Sequence, residues 1–104
     1  MTTTSPTLTI HRLTPDRFTV ALTNHSPATL HYALRTALGT GSLILNYEGA
    51  DVVQILAGEY LVTIPGADLT TEELGLLSFL TARKLAQVNS LPTGSIRRVV
   101  LDRS

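Results

Sequence analysis

Apolar residues recur along this chain at two distinct periods, and the changes of period divide it into elements. In "TLTIHRL", residues 7–13, Leu8 and Ile10 alternate with Thr7, Thr9 and His11, the period-2 pattern of a half-buried strand. "TPDR" follows, with Pro15 suited to the second position of a tight turn, and "RFTVALT" alternates again with Phe18, Val20 and Leu22 on one face. These two segments predict a hairpin. "SPATLHYALRTALG" then carries helix punctuation: Ser26 as N-cap, Pro27 at the first helical position and Gly39 just past the end. Leu30, Ala33, Leu34, Ala37 and Leu38 make a single stripe, with His31 and Arg35 on the opposite flank.

The second half repeats the alternation. "SLILNYEG" reads as a strand with Leu43, Leu45 and Tyr47 on one face. "ADVVQILAG" admits a short helix capped by Asp51 and Gly58, but Val52, Val53 and Ile55 favour a strand. "EYLVTIP" is a strand ended by Pro65 and Gly66, and "GSIRRVVLD" closes the chain as another. Between them, residues 71–89 form the longest helix, opened by a capping box of Thr70 and Glu73. The order is β-β-α-β-(β)-β-α-β, an α+β domain with an antiparallel-rich sheet and two helices on one face. Residues 1–6 read as a flexible N-terminal tail and 7–104 as one domain. Without its first strand the order becomes βαββαβ, so a ferredoxin-like variant is the alternative topology. In that alternative the first strand has no free edge to pair with, so either it projects as an arm and pairs elsewhere or the fold is a different meander.

The long helix carries more apolar surface than one core stripe needs. At 100° per residue, Leu74, Leu77, Ser78, Thr81, Leu85 and Val88 fall in one arc, while Leu76, Phe79 and Leu80 fall on the back. No charge lies between Glu73 and Arg83 to make that back face polar. The sequence offers Leu76, Phe79 and Leu80 no obvious partner within the chain, which marks them as interface anchors. Arg83 borders the same face. Arg97 and Arg98 are consecutive on the last strand, so one of them faces the helix side of the sheet or a partner.

Charge sharpens this picture. The eight Lys and Arg balance the eight Asp and Glu, so net charge is zero and argues against a nucleic-acid partner. The distribution is uneven, with six acids and no Lys or Arg from Thr36 to Ala82, and eight bases with only Asp16 and Asp102 elsewhere. Such segregation suits steering of partners or head-to-tail association. The sequence has no cysteine, which removes disulfides and thiol chemistry. The N-terminus lacks the pattern of a signal peptide and no apolar run approaches membrane-spanning length, so a soluble, cytoplasmic protein is expected.

No catalytic or cofactor pattern stands out. "GTGS", residues 39–42, follows a helix instead of opening one, the wrong polarity for a phosphate cradle. His11, His25 and His31 fit no metal-ligand spacing. Glu48, Asp51 and Glu59 surround a possible hairpin, but "YLVTIP" after Glu59 holds no lysine of the kind a nuclease would use. The expected function is non-enzymatic: an assembly or adaptor protein that associates with itself or docks on a protein partner, with no cofactor and no metal. A small-molecule-sensing regulatory domain of ferredoxin-like type is the second expectation. A carboxylate-dependent hydrolase is the third.

Overall fold

The computed structural model describes residues 5–39, 47 and 49–102. Strands β1 (Thr7–Thr14) and β2 (Arg17–Thr23) form the expected hairpin, joined by Pro15 and Asp16. A 3-10 turn at Pro27–Thr29 leads into α1 (Leu30–Leu38), followed by β3 (Asp51–Leu56), β4 (Glu59–Thr63), α2 (Thr71–Val88) and β5 (Arg97–Asp102). Ser26 therefore caps the 3-10 turn, accepting from the Ala28 amide at 3.4 Å, and the α-helix proper begins three residues later than its punctuation implies. "ADVVQIL" is strand β3, as its β-branched residues favour. The strand expected around Leu43–Tyr47 lies, except for Tyr47, outside the described residues, as do Glu48 and most of "GTGS".

The five strands lie in the order β3-β4-β2-β1-β5. Three of the four pairings are antiparallel and β1·β5 is parallel. The ferredoxin-like alternative holds with one change: without β1 the order is β3-β4-β2-β5, that of a βαββαβ sheet, and β1 is inserted into it. β1 is no projecting arm: it lies inside the sheet between β2 and β5, pairing Ile10 with Val20 on one side and with Val100 on the other. β1 can take this place because Leu8 and Ile10 supply its helix-side face, both fully buried.

The strand directions explain why both helices cover one face. β2 and β3 run parallel, joined leftwards through α1 over β4; β4 and β5 run parallel but opposite to that pair, joined rightwards through α2 over β2 and β1. A half-turn about the sheet normal interchanges the two senses, so crossovers of the same preferred hand place both helices on the same side. The core between the layers is one cluster. It takes Leu8, Ile10, Phe18, Val20, Leu22 and Val62 from the sheet, Leu30 and Leu34 from α1, and Leu74, Leu77 and Leu85 from α2. Among the described residues no helix lies on the opposite sheet face, and its central positions are Thr9, Thr19, Ala21 and Leu61.

Local chemistry fixes the ends of α2. The Glu73 amide donates to the Thr70 hydroxyl at 3.1 Å and the Thr70 amide to the Glu73 carboxylate at 3.2 Å, completing the capping box. At the other end Leu91 N–H reaches the Ala86 carbonyl at 2.8 Å and Ser90 N–H reaches Gln87 at 3.3 Å, a Schellman pattern. It forces Ser90 to φ 56°, a conformation better suited to glycine. Among the described residues no helix is long and apolar enough to cross a membrane.

Candidate interaction surface

α2 meets two neighbours, the sheet and α1, and this decides the standing of its back face. Leu74, Leu77, Ser78, Thr81 and Leu85 are buried as the helical wheel implies. Val88, placed in the same stripe, is 40% exposed. Leu85 and Ala86 of the same last turn stay buried, so only the outer side of that turn is open.

Leu76 and Leu80 do have partners within the chain, and the expectation that they lack them is corrected. Both are half-buried against the core, and Leu80 shares a depression with Thr36 and Ala37 of α1. Lys84, on the same column, sets its ammonium 5.5 Å from the centre of the Tyr32 ring on α1. Phe79 remains 44% exposed. It lines a groove of about 320 Å³ between α2, the 93–96 segment and β5, with Ala82 and Ile96 also lining it and Arg83 and Arg98 beside it. The Arg98 guanidinium lies 5.2 Å from the centroid of the Phe79 ring, a cation–π arrangement.

The register separates the two consecutive arginines. Arg98 aligns with Leu8 and Val100 with Ile10, so Arg98 belongs to the helix-covered side and reaches out over the edge to Phe79. Arg97 aligns with Thr7 on the uncovered face. Thus Phe79, Arg83 and Arg98 come together, Leu76 and Leu80 turn towards the core and α1, and Arg97 stands apart. Among the described residues the salt bridge is Arg12 with Asp102 at 3.6 Å, and no carboxylate pairs with Arg83 or Arg98. The groove therefore presents an apolar floor beside two cations, suited to a partner side chain that is apolar with an acidic neighbour.

The other candidate groups disperse. Asp51 lies opposite Thr63 and Glu59 opposite Leu56, so the two acids sit at opposite ends of the β3–β4 hairpin, roughly 13 Å apart along the strand. His11 is on the uncovered sheet face, whereas His31 stacks on Tyr60 on the helix side with ring centroids 5.4 Å apart. Among the described residues no three His, Asp or Glu are grouped so as to hold a metal. One polar pair does couple two segments. The Tyr47 hydroxyl donates to Glu73, so the residue that caps α2 also ties down the chain ahead of β3. Burial and that bond push the Tyr47 phenol up to about 12, and the same bond holds the Glu73 carboxyl below its ordinary value.

Sequence reasoning passed over one surface. β3 is a sheet edge with Val53 55%, Ile55 44% and Leu56 64% exposed. Its signal was the pair of apolar doublets Val52–Val53 and Ile55–Leu56 about Gln54, which lack the alternation that a strand with one wet face normally shows. The chain matches no protein-family model, and no curated protein is significantly similar to it.

Proposed function

We propose that this is a small non-enzymatic assembly or adaptor protein, working by self-association or by docking on a protein partner through the α2–β5 groove. The observation that carries the reading is Phe79, a large aromatic held exposed over an apolar floor with Arg98 and Arg83 beside it. Aromatic and arginine side chains are the residues that most often anchor protein interfaces. The anchors of this reading are Phe79, Arg83 and Arg98; Leu76 and Leu80 support the helix from beneath, and Arg97 serves the other face. The absence of cysteine favours a reducing, cytoplasmic setting.

The ligand-sensing alternative rests on fold analogy alone, the ferredoxin-like strand order being kept with β1 inserted between β2 and β5. The hydrolase alternative needs acids that converge, and Asp51 and Glu59 diverge. The test is the solution mass of wild type and of Phe79→Glu. A charge at this exposed position is expected to lower the mass of the assembly while the circular-dichroism spectrum and unfolding midpoint stay near wild type. Loss of the fold would make Phe79 a core residue and overturn the reading.

A further inference from the structure

We infer that the edge of β3 that no described strand covers pairs with the same edge of a second copy, antiparallel about a two-fold axis normal to the sheet, joining two five-stranded sheets into one. The inference shares with the proposed function only the premise of self-association, and it rests on different residues. An edge strand presents unpaired backbone N–H and C=O groups, and proteins that stay single guard such edges with charge, proline or short length. The two edges of this sheet differ in that respect. β5 carries Arg97, Arg98 and Asp102 among its six residues, charge at both ends. β3, Asp51-Val-Val-Gln-Ile-Leu, carries one charge at its first residue and no proline, and its exposed side chains include Val53, Ile55 and Leu56. Only a register shift between Gln54 and Leu56 interrupts it.

Geometry selects the partner. In antiparallel pairing, opposed residues share a face, so a two-fold axis normal to the sheet must pass through a residue and not between two. Centred on Val53, it sets Val52 opposite Gln54 and Asp51 opposite Ile55 of the second copy. Centred on Gln54, it sets Val53 opposite Ile55. In neither register does Asp51 face its own copy, so the single charge does not oppose association. Both copies keep their helices on the same side. A head-to-tail contact of β3 with β5 would meet the guarded edge and would have no geometric stop, whereas the two-fold contact closes at two chains.

The cysteine-free sequence makes a single-cysteine scan direct. Directly opposed strand residues hold their Cβ atoms about 4.5–5.5 Å apart, close enough for a disulfide after slight movement or for a short bismaleimide. Val53→Cys or Gln54→Cys is expected to give covalent dimers on oxidation of the native protein, whereas Glu72→Cys, exposed on α2, is not. In parallel, Val53→Lys sets like charges against each other at the axis in the Val53-centred register, or a charge against Ile55 in the other, and is expected to weaken dimerisation at least about tenfold, read by sedimentation. Cross-linking at neither 53 nor 54 while Phe79→Glu lowers the mass would overturn the β3 contact and leave the groove reading standing. Cross-linking at β3 with mass indifferent to Phe79→Glu would do the reverse. A wild type that sediments as one chain at ~100 μM would overturn the β3 contact and the self-association form of the groove reading.

Discussion

Replacing Tyr47 with phenylalanine keeps the ring and removes the hydroxyl that donates to Glu73. A hydrogen bond to a charged acceptor contributes about 1.5–3 kcal/mol when well shielded. Tyr47 and Glu73 are both only half-buried, so solvent screening reduces the expected loss to about 1 kcal/mol. For a domain of this size that corresponds to a fall of about 4–8 °C in Tm. The pH dependence gives the sharper signature. Glu73 is held below its ordinary value of 4.5, first by the Tyr47 bond and also by Thr70. A depressed carboxyl stabilises the fold above its unfolded pKa, and that contribution fades as pH falls through the folded value. The gap between wild type and Tyr47→Phe is therefore widest near neutrality and narrows below about pH 4.5. At the alkaline end the sign reverses. The phenol is raised from 10.0 to about 12, so wild type loses stability relative to the variant as pH rises through that window. Urea unfolding at a series of pH values measures the difference. A gap that is absent at pH 7, or equally wide at pH 3 and pH 7, would refute the argument.

Three backbone positions give further predictions, each read from urea midpoints. Gly58 turns the β3–β4 hairpin at φ +77°, and a Cβ there would stand 3.1 Å from the Pro27 Cβ and 3.2 Å from the Leu22 carbonyl oxygen; Gly58→Ala should cost about 2 kcal/mol. Gly75, inside α2 with nothing within 4 Å of where a methyl would stand, is the contrast, and Gly75→Ala should gain about 0.5–1 kcal/mol. Ser90→Gly should gain about 0.5–1 kcal/mol by relieving the positive φ at the end of α2, and a loss instead would mean that its side chain does something the backbone argument omits.

Much of the fold was legible in the chain because its signals are local. The alternations of Leu8/Ile10 and Phe18/Val20/Leu22, and the Thr70–Glu73 capping box, depend on neighbours within a few residues. What escaped depends on partners distant in sequence. Nothing in residues 7–14 states that β1 will be flanked on both sides, since its partners in β5 arrive about 90 positions later. The helical wheel assigned Leu76 and Leu80 to an interface because it assumes one covering surface, whereas α2 has two. The wheel did isolate Phe79, the one member of that trio left exposed. The alignment of Arg98 with Leu8 that brings it to Phe79 is a matter of register, which alternation alone leaves open between Arg97 and Arg98. β3 was recognised as a strand, but its status as an unguarded edge follows only from the strand order.

The most direct test of the assembly reading is light scattering on the purified protein across a concentration series up to ~100 μM, beside Phe79→Glu under the same conditions. The account predicts a wild-type mass above the 11.2 kDa of one chain and a lower mass for the folded variant. A wild type that holds at 11.2 kDa throughout and retains no protein partner in a pull-down would contradict it.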